Sequence, residues 1–232
     1  MPTMEVARVA QALADLRQRI AAACPTNRSP RDVTILAVTK GFGPEAPIAA
    51  FGAGLRNIGE NYYQEAADKF AQIERPKGVA LHFIGRVQRN KAQRIADLFD
   101  VVQTVDDLAA ARALDDAAAS AHKTLAVLVQ VNSALDERQG VAPGQLAAFV
   151  ESLGAYGNLH MRGLMTMGPK EQAGAAAAFA RARACFDELR LVHPEIDTLS
   201  MGMSDDLETA VAAGSTMVRI GTALFGVRSS AG

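Results

Sequence analysis

Short apolar runs alternate with alanine-rich amphipathic stretches along nearly all 232 residues. The apolar runs are three to seven residues long and end in glycine or polar residues, as buried strands do. They predict strands at 33–39, 57–59, 82–84, 101–105, 125–131, 161–165, 198–200 and 216–220. The stretches between them carry the helical period and predict helices at 44–51, 62–73, 91–98, 107–119, 143–153, 174–191 and 205–212, after a leading helix at 6–23. Asp106 has the side chain of an N-cap, and Pro44 and Pro143 suit first helical turns.

Eight strands, each followed by a helix or turn, fit a compact α/β fold of the (β/α)8 TIM-barrel type with an extra N-terminal helix. A doubly wound sheet is the alternative. No Pro- or Ser-rich linker divides the chain, so one domain over 1–232 is expected. The strand ends place polar and flexible residues at a single rim: Lys40, Glu60 and Asn61, Gly85, Thr104, Asn132, Thr166, Ser204 and Arg219 to Thr222. In such barrels the site lies at that rim.

Composition narrows the partners. A formal net charge of -1 argues against general affinity for nucleic acid or an anionic membrane. The densest basic stretch, Arg86, Arg89, Lys91 and Arg94, is either a solvated helix start or a phosphate-handling edge. Two distant cysteines and four histidines without ligand spacing support no metal site and fit a reducing cytoplasm. The N-terminus lacks the apolar segment of a signal peptide, and no run reaches transmembrane length.

Lys40 ends the largely apolar run at 33–39. A lysine there either snorkels at the rim, paired with Glu60 or another carboxylate, or uses a desolvated amine as a nucleophile toward aldehydes. Arg219 offers a planar, permanently charged fork suited to a phosphate or a ring nitrogen, or to a structural salt bridge. Ser204, Gly221 and Thr222 stand where barrels often bind phosphate, in the loops after strands seven and eight. Asp205 and Asp206 are expected to satisfy the amides of the helix they open, which moves an anion toward Ser204 and the Gly221–Thr222 turn. Glu60 and Asn61 either orient a bound ring or cap the next helix. His82 reads as a hydrogen-bonded core histidine. Met165, Met167, Met201 and Met203 read as core or pocket lining.

Six motifs in order are similar to the pyridoxal phosphate homeostasis protein family: Ala37-Val38-Thr39-Lys40, Ile58-Gly59-Glu60-Asn61-Tyr62, His82-Phe83-Ile84-Gly85 with Gln88-Arg89-Asn90-Lys91, Gln130-Val131-Asn132, Arg162-Gly163-Leu164-Met165, and 199–206 through Val218-Arg219-Ile220-Gly221. The resemblance implies a fold type III barrel like that of the alanine racemase group, with pyridoxal 5'-phosphate (PLP) as cofactor. It implies that Lys40 forms the Schiff base and that Ser204, Gly221 and Thr222 hold the phosphate. Arg219 would face the pyridine nitrogen, while Asn61, Met201 and the strand from His82 to Gly85 would border the ring. The chain departs from many relatives at Phe42 (a second lysine), Leu81 (tryptophan) and Arg86 (proline), which leaves any secondary cofactor site in doubt.

An arginine at the ring nitrogen disfavours its protonation and weakens the cofactor as an electron sink. Racemisation also needs acid–base groups on both faces of the substrate carbon. In the racemases the second is a tyrosine from an additional domain, which this sequence does not include. The expectation is therefore a cytoplasmic, monomeric PLP carrier for vitamin B6 homeostasis rather than an enzyme, with PLP-dependent apoenzymes as recipients. The alternatives are a PLP-dependent racemase with Lys40 as base, and a cofactor-free Schiff-base aldolase.

Overall fold

Eight parallel strands close into a barrel in sequence order in this computed structural model, which describes residues 4–169 and 171–227. They are β1 (Thr34–Val38), β2 (Asn57–Glu60), β3 (Ala80–Phe83), β4 (Val101–Val105), β5 (Leu125–Gln130), β6 (Leu159–Met165), β7 (Thr198–Ser200) and β8 (Met217–Ile220). The last strand returns to the first, with Thr34 beside Met217 and Ala37 beside Ile220. That pairing rules out an open doubly wound sheet, whose edge strands stay apart.

The helices are α1 (Met4–Ala23), α2 (Glu45–Gly52), α3 (Tyr63–Phe70), α4 (Ala92–Leu98), α5 (Leu108–Ser120), α6 (Leu146–Leu153), α7 (Ala175–Val192), α8 (Leu207–Ala212) and α9 (Thr222–Phe225). The leading helix α1 buries Val9, Leu16 and Ile20 and packs on α2, α8 and α9, beside the seam where β1 meets β8. The cap of α5 is Asp107 rather than Asp106. The Asp107 carboxylate accepts from the Ala109 and Ala110 amides at 3.3 and 3.1 Å. Asp106 is half-buried instead, and that burial pushes its carboxyl up against the pull of Arg86. Pro143 opens a short 3-10 turn that leads into α6, and Pro44 caps α2.

Strand periodicity sorts side chains into two environments. Outward-facing Ile35, Ile58, Leu81 and Val218 are fully buried under the helices, where they join Phe99, Phe179 and Phe186 in the main core. The inward set is more polar: His82, Gln103, Ser200 and Arg219 are all buried within the barrel. At the rim, Gly85 is required by close approach. A Cβ on Gly85 would sit 1.9 Å from the Asn61 carbonyl oxygen, so only glycine lets the ends of β2 and β3 meet.

Candidate functional site at the C-terminal rim

A cavity of about 590 Å³ opens at the C-terminal ends of the strands, within the range of small-molecule sites. Lys40, Asn61, Ser204, Arg219, Gly221 and Thr222 all border it. Lys40 follows β1 in a turn, two residues beyond Val38, and both face the same space as the period of two requires. The structure thus gathers six of the nine predicted site residues, drawn from β1, β2, β7 and β8.

The other three lie elsewhere. His82 points toward the opposite end of the barrel, where it borders a separate cavity of about 410 Å³. Gly85 has no room for a side chain and serves the packing of β2 on β3, its carbonyl accepting from the Thr104 hydroxyl. Met201 is fully buried in the main core, because it is one residue out of phase with inward-facing Ser200. Met165, Met167 and Met203 border the rim cavity instead.

Arg219 is buried and held by three neutral oxygens. Its Nη1 donates to the Ser200 carbonyl at 2.8 Å and the Ser200 hydroxyl at 2.9 Å, and its Nη2 donates to the Thr166 carbonyl at 2.8 Å. Burial lowers its pKa to about 10, with Asp206 opposing the shift, so it stays cationic at neutral pH. Among the described residues no carboxylate is bonded to it, which disfavours the salt-bridge alternative.

The bonds continue inward as a directed chain. The Ser200 hydroxyl donates to Gln103 Oε1 at 2.8 Å, and Gln103 Nε2 meets His82 Nδ1 at 3.0 Å. His82 Nε2 in turn faces Asn57 Oδ1 at 3.0 Å. Since Gln103 Oε1 is taken by Ser200, its amide must donate, which assigns His82 the neutral Nε2–H form. Burial agrees, holding the imidazole pKa at about 3.

The Lys40 side of the rim is built from charges. Glu60 is fully buried and does not cap α3. Its Oε1 lies 2.5 Å from Lys69 Nζ and accepts from the Thr39 hydroxyl at 2.6 Å. Burial pushes the Glu60 carboxyl up, and Lys69 and Thr39 pull part of that shift back. Glu60 as a partner of Lys40, one of the alternatives above, is therefore replaced by a pair with Lys69, a residue that no local pattern singles out.

Asp206 also departs from expectation. Its carboxylate accepts from the Met203 amide at 2.6 Å and caps no amide of α8, so it ties down the loop after β7. Arg19, from α1, was not anticipated at all. It borders the rim cavity, binds Glu208 through two nitrogens and donates to the Ser204 carbonyl at 3.1 Å. None of the three tyrosines borders the cavity: Tyr62 is exposed, Tyr63 lies under Arg94, and Tyr156 bonds the Leu108 carbonyl. Arg86, Arg89, Lys91 and Arg94 are exposed and lie outside it, as a solvated helix start would. Among the described residues no cluster of three or more His, Cys, Asp or Glu could hold a metal, and no helix is long and apolar enough to cross a membrane.

The family model for the alanine racemase N-terminal domain matches residues 6–229. The pyridoxal phosphate homeostasis protein of Escherichia coli (strain K12) is 41% identical over 227 residues, covering 95% of this chain and 97% of the relative. That of Pseudomonas aeruginosa is 43% identical over 224 residues, covering 95% and 96%. The chain belongs to the pyridoxal phosphate homeostasis protein family.

Among solved structures, PipY of Synechococcus elongatus PCC7942, with PLP bound, matches with a TM-score of 0.82 at 35% identity, covering 94% of this chain and 100% of that one. An alanine racemase of Clostridium difficile 630 matches with a TM-score of 0.75 at 15% identity, covering 95% of this chain and 58% of the racemase, which speaks to the fold alone. Phe42 is packed on the core and its ring lies 5.4 Å from that of Phe225. Leu81 is fully buried under the helices, and Arg86 is exposed.

Proposed function

We propose that this chain is a cytoplasmic PLP-holding protein that binds the cofactor reversibly at the C-terminal rim and limits the free aldehyde. One observation carries the reading: an amine, a buried guanidinium and two hydroxyl-bearing residues border one cavity of cofactor size. The donor set fits the group. Lys40 supplies the nucleophile, Ser204, Thr222 and the Gly221 turn supply anion contacts, and Arg219 supplies a fixed positive charge. The PLP-bound state of PipY, 35% identical to this chain, supports the same assignment. PLP held there would supply an aldehyde, and Lys40 would supply the amine able to condense with it reversibly.

The protein's own groups favour holding over turnover. Arg219 is cationic at neutral pH, so a proton on a facing ring nitrogen would be repelled. No tyrosine borders the cavity to serve as a second acid–base group. Two free, half-buried thiols, Cys24 and Cys185, fit a reducing compartment. Delivery to apoenzymes by a monomeric carrier is part of the same reading.

The purified protein mixed with PLP is expected to turn yellow, and borohydride is expected to fix the cofactor on Lys40. Label recovered on another lysine overturns the assignment. Amino-acid racemase assays are expected to show at most trace turnover; robust turnover lost in Lys40→Ala overturns the non-catalytic reading. Transfer to an apoenzyme with an aldehyde scavenger present separates the two modes of supply. Transfer that survives the scavenger is direct, and transfer that disappears is buffering.

A further inference from the structure

The chain on both sides of Lys40 is tied to charged residues that take no place in the cavity. Before it, the Thr39 carbonyl accepts from Lys69 Nζ at 2.8 Å, and the Thr39 hydroxyl donates to Glu60 at 2.6 Å. After it, the Gly41 amide donates to Glu65 Oε1 at 2.5 Å. Lys69 closes the figure, 2.5 Å from Glu60 and 3.2 Å from Glu65. Lys69 and Glu65 both come from α3, four residues apart, and Glu60 comes from the end of β2.

Two facts argue that this cluster acts on geometry. Lys40 and Gly41 form a turn beyond the strand, with Gly41 at φ +74°. The Thr39 amide donates to the Gly59 carbonyl at 3.0 Å and the Phe42 amide to the Thr39 carbonyl at 3.1 Å, and neither bond holds the Gly41 amide. Second, a buried ammonium–carboxylate pair is a poor source of stability, because desolvating both ions offsets most of their attraction. Lys69 is 3% exposed and Glu60 is fully buried, and one Glu60 oxygen, Oε2, has no hydrogen-bond partner among the described residues. An apolar pair of the same volume would hold α3 to the barrel at least as well, but it could not grip a carbonyl and, through Glu65, an amide on either side of one residue.

We infer that Lys69 is a positioning residue for Lys40, gripping Thr39 directly and Gly41 through Glu65 so that the Lys40 amine enters the cavity at the angle its reaction with an aldehyde requires. The inference rests on the reading of Lys40 as the covalent anchor. It assigns Lys69 no contact with the cofactor. Since the groups around Ser204, Gly221 and Thr222 are untouched, loss of the clamp is expected to impair the covalent step more than the binding step.

The test uses the full chain with PLP and compares Lys69→Met and Glu65→Ala with the unaltered protein. Equilibrium binding is read by dialysis, and covalent capture is read as borohydride-fixed label on Lys40 at short times after mixing. Misplacement by an ångström can cost a reaction about a hundredfold, so a fall of about tenfold in the capture rate is expected for Lys69→Met and about threefold for Glu65→Ala, with binding within about threefold in both. Glu65 is partly exposed, so Glu65→Ala carries the test if Lys69→Met does not fold. Capture rates equal to the unaltered protein in whichever variants fold, or capture and binding falling in step, overturn the inference. Undiminished label in Lys40→Ala instead overturns the anchor reading itself, which keeps the two failures apart.

Discussion

The two cations at the rim are held in opposite ways. Lys40 sits over a cluster of full charges, Lys69 with Glu60 and Glu65, wedged between β2 and α3 outside the barrel wall. Arg219 rests on an uncharged chain, Ser200, Gln103, His82 and Asn57, threaded through the barrel interior. The difference follows from what each must do. An amine that reacts has to approach its partner at a set angle, which asks for a fixed backbone on either side of it. On that side Lys69 takes up the Glu60 and Glu65 carboxylates, and the grip falls on the flanking backbone. A guanidinium that acts as a fixed charge needs orientation only. Neutral acceptors supply that without weakening its field.

Breaking the charged side should cost the most. Glu60→Leu leaves Lys69 buried with one of its carboxylates gone, and a loss of up to about 3–5 kcal/mol in unfolding free energy is expected from urea titration. A loss under about 1 kcal/mol would mean that Glu65 alone suffices and the pair is not a unit. On the neutral side, Gln103→Met removes the donor to His82 and the acceptor for Ser200 with little change in shape. It should cost about 1–3 kcal/mol for each group left unpaired, and it should weaken PLP binding by loosening Arg219. Unchanged binding would detach the interior chain from the site.

The two sides should also respond to pH with opposite sign. His82 has its pKa lowered to about 3 by burial, so below about pH 6.5 the unfolded chain binds a proton that the folded one refuses. Stability is then lost as pH falls, by up to about 1.4 kcal/mol per unit. Glu60 has its pKa raised, so its contribution is fully present below the unfolded carboxylate range and is lost as pH rises through the folded value. Urea midpoints measured from pH 3 to 8 should therefore flatten on the acid limb in His82→Gln and shift the other way in Glu60→Gln. If both variants track the unaltered protein, the contrast fails. The smallest effect is expected at exposed Arg86: Arg86→Ala should change stability by less than about 0.5 kcal/mol and leave PLP binding intact, and a clear loss of binding would restore the phosphate-edge alternative.

Much of this contrast lay beyond reading along the chain. Lys40 and Arg219 could be found because each is a charged residue at the end of a short apolar run, a conflict that stands out in any sequence. Ser204, Gly221 and Thr222 followed from their places after the seventh and eighth strands. Met201 and Met203 could not be told apart, since both are apolar and share one strand phase, and Met203 reaches the cavity only because the chain leaves the strand direction at Gly202, φ +97°. His82 lies in a motif beside Gly85, yet the inward positions of β3 span the barrel from end to end, so neighbours in sequence serve opposite faces. Arg19 reaches Ser204 across 185 residues, and no local pattern encodes that approach.

Hydrophobic periodicity and turn residues act locally, so the eight strands, the helices between them and the rim of polar strand ends were legible along the chain. Which partner each buried charge takes was settled in three dimensions. Glu60 lies twenty positions from Lys40 and nine from Lys69, and both lysines are chemically able to pair with it. The choice was made by the packing of α3 on β2, which brings Lys69 to 2.5 Å from Glu60 and closes that space to any other cation. Burial of an ion is tolerable only with a partner at contact distance, and contact distance is a property of the folded chain.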